Sequence, residues 1–344
     1  MPARLVDRDP VVAADKLIAG LVPPPLFADA RFDTYRPDPA QPTQAAAVAA
    51  LEQFAAGIGE PKRGRRFHRR AVAEAGGVYL DGGFGVGKTH LLSALWHAVE
   101  GPRGYATFVE LTHLAGAIGF HDLIERLAGM RLLAIDEFEL DDPGDTVLMS
   151  TLLGALADRG VALAATSNTL PDRLGEDRFA TDDFLREIQG LAARFTSVRV
   201  DGPDYRHRGL DRPPATPGED EVRRRVDAVP GATLDSFDEL VRHLGRLHPS
   251  RYGALVDGVP HVGLTSVFAA PDQNTALRLV VLADRLYDRQ IPVSAAGLGL
   301  DELFPAEMLA GGYRKKYRRA VSRLVALARL ADDAPGPRTS KVLG

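Results

Sequence analysis

Residues Gly82 to Thr89 read Gly-Gly-Phe-Gly-Val-Gly-Lys-Thr, an uninterrupted match to the phosphate-loop pattern G-x-x-x-x-G-K-[ST]. Such a loop works only where a strand hands over to a helix, so it constrains the fold more than anything else in the chain. The flanks satisfy that demand. Val78-Tyr79-Leu80 is an apolar β-former run, and Leu91, Leu92, Leu95 and Val99 follow at helical spacing. Glycines let backbone N–H groups wrap phosphate oxygens closely, and the helix N-terminus adds partial positive charge. Gly82, Gly83, Phe84, Gly85, Val86, Gly87, Lys88, Thr89 and His90 are therefore the expected phosphate contacts. Lys88 would reach the β- and γ-phosphates, and the Thr89 hydroxyl would ligate Mg²⁺. The motif implies a nucleoside triphosphate ligand.

A second run, Leu132-Leu133-Ala134-Ile135-Asp136-Glu137, is apolar until it ends in two carboxylates. An all-apolar stretch of this length suits a parallel strand buried on both faces, and ligands of open α/β sheets gather at strand C-termini. Asp136 is then the expected metal-side carboxylate, and Glu137 the general base for an attacking water. A glutamate beside the aspartate points to hydrolysis, because a water must be activated. A third run, Val161 to Thr166, ends at Ser167-Asn168, which puts an amide where it can position that water or meet the γ-phosphate. Tyr105 to Val109 and Ser197 to Val200 complete five expected strands, separated by helical stretches such as Leu111 to Leu127 and Thr146 to Asp158. The alternation predicts an α/β P-loop NTPase core with a five-stranded parallel sheet between helices.

The order of phosphate loop, Asp136-Glu137-Phe138, Thr166-Ser167-Asn168 and Asp204-Tyr205-Arg206 resembles AAA+ (ASCE-class) ATPases of the ZapE type. These are bacterial cell-division ATPases related to the mitochondrial AFG-like proteins. Segments outside the nucleotide motifs extend the resemblance from about Pro24 to Leu324: Phe32 to Pro37, Pro42-Thr43-Gln44, Asp142 with Asp145, Leu286-Tyr287-Asp288 and Arg319 to Leu324. The resemblance implies an ATP hydrolase using ATP and Mg²⁺, remodelling a protein partner, with the FtsZ polymer as the expected partner. It also implies an ATP-dependent homo-oligomer with an arginine finger reaching a neighbour's site. The family's usual arginine position, two residues before its Phe-Leu-Pro segment, is occupied here by Asp182, so the candidates are Arg178, Arg186 and Arg194. Arg178 is favoured, being in a polar loop with Phe179 to anchor it. In related ATPases a lid arginine senses the γ-phosphate; Arg278, Arg319 and Arg323 are the candidates here.

Pro23-Pro24-Pro25 and Pro37 to Pro42 suggest an extended arm, with residues 1–70 leading into a core at 71–211. Tyr35 and Gln44 on that arm are candidate contacts to the nucleotide base. Residues 212–220 read as a linker, 221–330 as a smaller mixed α/β lid-like module, and 331–344 as a disordered tail. Within the module, Phe237 to Leu247, Thr275 to Asp288 and Tyr317 to Leu330 read as helices, and Val262 to Ala269 and Ile291 to Ala295 as strands.

The 344 residues carry a formal charge of −4 and no cysteine, which excludes disulfides and thiolate chemistry and gives no global basic field for nucleic acid. The first residues lack the apolar core of a signal peptide, and no stretch is apolar enough to span a bilayer, so a cytoplasmic location is expected. A basic cluster, Lys62, Arg63, Arg65, Arg66, Arg69 and Arg70, keeps peripheral membrane contact open. It also supports the competing expectation, a nucleotide-gated loader or adaptor that binds single-stranded DNA or another protein. Glu137 and the C-terminal resemblance favour the hydrolase, and nucleic acid is not the expected partner.

Overall fold

The structure, a computed structural model, describes residues 2–58, 76–83, 85–139, 143–169, 190, 192–203 and 213–333. Phe84, Asp142, Arg178, Arg186, Asp204-Tyr205-Arg206, the Lys62 to Arg70 cluster and residues 334–344 lie outside the described residues. The chain forms two compact units, one of residues 13–210 and one that joins residues 1–12 to 211–344.

In the first unit five strands form a wholly parallel sheet: β1 (Gly77–Gly82), β2 (Arg103–Thr107), β3 (Leu132–Asp136), β4 (Ala162–Ser167) and β5 (Phe195–Val200). Their spatial order is β2-β3-β4-β1-β5. Strand alternation sends successive residues to opposite faces, and here both faces are apolar. Val78, Leu80, Leu132, Ala134 and Ala164 pack beneath α2 (Pro42–Ile58) and α3 (Lys88–Ala98), while Tyr79, Leu133, Ile135 and Leu163 pack against the opposite helices. This is an α/β P-loop NTPase core. Four consecutive apolar residues are needed to fill both layers, which is why β3 and β4 are so plain in the sequence.

The opposite layer is built by α4 (Phe108–Ile118), α5 (Phe120–Leu127) and α6 (Pro143–Asp158). Two expectations change here. Tyr105 to Val109 is not all strand: Thr107 caps α4 through a reciprocal bond with Glu110, so the helix begins at Phe108. Leu111 to Leu127 is not one helix, because Gly119 sits at φ 97° and turns the chain between α4 and α5. Outside β2, the N-terminal arm, which carries the short helix α1 (Ala14–Ala19), covers the sheet edge, with the Tyr105 N–H donating to the Leu21 carbonyl at 2.8 Å.

The second unit has its own parallel sheet, β6 (Thr233–Ser236), β7 (Val262–Val267) and β8 (Val293–Gly297), in the order β6-β7-β8. Helices α7 (Glu219–Asp227), α8 (Phe237–Arg246), α9 (Gln273–Asp288) and α10 (Arg314–Asp333) surround it. Helix α7 begins at Glu219, inside the expected 212–220 linker, and α10 runs to Asp333, three residues into the segment expected to be a tail. Residues 1–12 do not lead into the first unit, as the arm was expected to do. Leu5, fully buried, lies against β6, and the buried Asp235 carboxylate accepts the N–H groups of Leu5 at 2.9 Å and Val6 at 3.2 Å. Burying an apolar side chain and pairing two backbone donors holds this strap to the C-terminal unit.

Candidate functional site

The order β3-β4-β1 places three strand ends side by side at the C-terminal edge of the first sheet. The phosphate loop leaves β1, Asp136 closes β3, and Ser167-Asn168 closes β4. Loop conformation depends on its glycines. Gly87 sits at φ 91° as the N-cap of α3 with no side-chain cap, and a Cβ there would lie 2.6 Å from the Tyr35 ring. Gly82 is tighter still, since a Cβ would fall 2.1 Å from the Val200 carbonyl oxygen. The uncapped start of α3 leaves backbone donors and the positive end of the helix dipole for an anion.

Lys88 is nearly buried, and its ammonium donates to the carbonyls of Gly82 at 2.8 Å and Gly83 at 2.5 Å. It also donates to Asn168 Oδ1 at 2.9 Å. The loop and the β4 tip are thus joined by the cation expected to meet phosphate. Asp136 is held from three sides. Tyr105 donates to Oδ2 at 2.9 Å, Thr166 donates to Oδ1, and Thr89 lies 3.4 Å from Oδ1. The Glu137 N–H adds bonds of 3.1 Å to Asp136 Oδ1 and to Thr166 Oγ1. Glu137 itself adopts φ 55°, a left-handed backbone that a non-glycine residue enters at a cost of about 1–3 kcal/mol. Those two N–H bonds, and Phe138 buried edge-on against Phe108 at 5.2 Å, hold it there.

This donor set fits a triphosphate with magnesium. An ammonium and an uncapped helix start face the strand edge, and one hydroxyl and one carboxylate lie within hydrogen-bonding reach of each other, as a hydrated divalent cation requires.

Other expected site residues fall differently. Val86 is buried, and its carbonyl accepts from the Tyr35 hydroxyl at 3.0 Å, so it offers a ligand only its main chain. The His90 ring turns to the arm, 3.0 Å from Thr34 Oγ1 and 3.1 Å from the Arg31 carbonyl. Tyr35 therefore braces the loop rather than standing open for a base. Gln44 is not available to a base either. It is buried, its Oε1 accepts from the Asp38 N–H and its amide donates to the Asp201 carbonyl, both at 2.8 Å. Arg194 pairs with Asp158, and its carbonyl accepts from Gly77 at the opposite, N-terminal edge of the sheet. In the C-terminal unit Arg278 donates to the carbonyls of Leu244 and Leu247, while Arg319 and Arg323 both bind the Asp284 carboxylate.

Sequence reading gave no role to three of the residues that shape the site: Tyr105 and Thr166, the latter named only within its motif, which orient Asp136, and Glu139. The Glu139 carboxylate accepts from Ser167 Oγ at 3.1 Å, Thr169 Oγ1 at 3.1 Å and the Asn168 N–H at 3.2 Å. Only the C-terminal position of Thr166 on its strand hinted at such a role.

The profile of the AFG1-like ATPase family matches residues 11–229 and 214–331. The cell division protein ZapE of Escherichia coli K12 is 34% identical over 167 residues, covering 44% of this chain and 44% of that protein. An uncharacterized protein of Schizosaccharomyces pombe is 30% identical over 148 residues, 38% of this chain and 33% of its own length. The chain thus aligns with less than half the length of these curated relatives. Among solved structures, DnaI is similar over 53% of this chain and 93% of its own, with a TM-score of 0.42 and 18% identity.

Proposed function

Because this chain belongs to the AFG1-like ATPase family, we propose that it is a magnesium-dependent ATP hydrolase that couples turnover to remodelling of a protein partner. The observation that carries this reading is the convergence of Lys88, Asn168, Thr89 and Asp136 where β1, β3 and β4 end together. In it, Lys88 and the loop amides of Gly82 to Thr89 hold the triphosphate. Thr89 and Asp136 hold magnesium, whose chemistry is to neutralise charge developing on the phosphates. Glu137 takes the proton of the attacking water, and Asn168 orients that water or the γ-phosphate. Arg178 completes a neighbouring subunit's site in an ATP-dependent homo-oligomer.

The name of the Escherichia coli relative supports a partner in cell division, and the family resemblance suggests FtsZ polymers. The decisive assay is phosphate release by the wild-type chain and by Glu137→Gln, each with and without FtsZ polymers. Turnover lost in the variant and altered by polymer supports the proposal. Wild-type turnover that responds to single-stranded DNA and not to polymer would move the assignment to a loader.

A further inference from the structure

The exits of β3 and β4 are fastened to each other by a side chain that the nucleotide motifs do not include. Glu139 stands two residues after the proposed general base. Its Oε1 accepts from Ser167 Oγ at 3.1 Å and from the Asn168 N–H at 3.2 Å, and its Oε2 accepts from Thr169 Oγ1 at 3.1 Å. On the same stretch the Phe138 N–H donates to the Thr166 carbonyl at 2.7 Å, and the Tyr79 hydroxyl donates to the Thr169 carbonyl at 2.7 Å. An ionised carboxylate has only acceptors, so three donors from one turn of chain suit it well. Asn168, whose backbone N–H is fixed this way, is the residue whose side-chain Oδ1 meets Lys88.

We propose that Glu139 is a positioning residue that locks Asn168 to the general-base turn, so that water activation at Glu137 and γ-phosphate contact at Asn168 keep one fixed spacing. The inference rests on the hydrolase reading given above. Its physical basis is that both groups act on one water and one phosphoryl centre, and a misplacement of about 1 Å costs on the order of 10²-fold in rate. The three bonds of Glu139 go to the exit of β4, while Lys88 and the loop between β1 and α3 supply the grip on the nucleotide in that reading, so affinity is left largely to them.

The test compares wild type, Glu139→Ala and Glu139→Gln in three readouts: kcat for ATP, Kd for ATP by titration calorimetry, and amide hydrogen exchange over Thr166 to Thr169 in nucleotide-free protein. The clamp predicts that Glu139→Ala lowers kcat by about tenfold or more with Kd changed less than about threefold. It also predicts faster exchange over Thr166 to Thr169. Glu139→Gln keeps an acceptor oxygen and should recover part of the rate; it carries the test if the alanine variant fails to fold. Unchanged kcat and exchange in both variants would overturn the proposal, and so would equal losses of affinity and rate accompanied by a lowered melting temperature. A wild-type protein with no turnover would instead overturn the hydrolase reading. The exchange difference, which needs no nucleotide, then decides the clamp by itself.

Discussion

The Lys88 ammonium lies 2.9 Å from Asn168 Oδ1, so the cation of the phosphate loop is already tied to the tip of β4, one strand away from the loop's own β1. The distance ties Asn168 to the side chain proposed to meet phosphate, beyond its place at a strand exit. It also gives each partner a separate consequence when removed.

Lys88→Ala removes a charged donor placed to meet the triphosphate. Charge-assisted hydrogen bonds contribute about 1.5–3 kcal/mol, equivalent to about 10–100-fold in Kd. Calorimetric titration with ATP and magnesium should show at least that loss.

Glu137→Gln should leave ATP affinity within a few-fold of wild type while lowering kcat by about 10²–10⁴-fold, the range general-base catalysis supplies. The φ of 55° at Glu137 is held by backbone N–H bonds that the glutamine keeps, so the fold should be unaffected. Single-turnover phosphate release on bound ATP checks this.

Gly82→Ala tests the close passage of β1 beside β5. A methyl group would fall 2.1 Å from the Val200 carbonyl oxygen, at a residue whose φ is 155°. Neither the backbone nor the oxygen can give way cheaply. The expected cost is about 2–4 kcal/mol, a fall of about 5–15 °C in the melting temperature of the first unit. A thermal melt within 2 °C of wild type, on a scale of about 2–4 °C per kcal/mol, would contradict this packing.

Burial pushes the Asp235 carboxyl above its ordinary value of 3.8, outweighing the Leu5 and Val6 N–H bonds that favour its charged form. A carboxyl raised in the folded state is protonated more readily there than in the unfolded chain. Its contribution is therefore fully present below the unfolded value and is lost as pH rises through the folded one. The stability of wild type relative to Asp235→Asn should thus decline as pH rises from about 4 toward neutrality, as measured by urea unfolding of the C-terminal unit. A flat or rising difference would show the wrong sign.

Much of the first unit was legible because its chemistry is local. Strands buried on both faces must be apolar runs, and Leu132 to Ile135 and Val161 to Ala165 are just that. The turn from β1 into α3 and the place of Asp136 at the end of β3 followed from spacing alone. What stayed hidden depends on partners distant in sequence. Thr233 to Ser236 carries Asp235 in its middle and does not read as a buried strand; the N–H groups of Leu5 and Val6, 230 and 229 residues away, and the Arg4 guanidinium at 4.0 Å make that carboxylate tolerable inside. Gln44 looked free to meet a base until the Asp201 carbonyl, 157 residues on, claimed its amide. Glu139 drew no reading from the sequence, because nothing in its neighbours announces three donors from the next strand's exit.

Titration calorimetry of the wild-type chain and of Lys88→Ala with ATP and magnesium bears most directly on the proposed site. A saturable heat for one nucleotide per chain in the wild type, weakened at least about tenfold in the variant, is the predicted result. No wild-type heat, or equal binding by both proteins, would contradict the assignment of the β1–α3 loop as the place where the triphosphate is held.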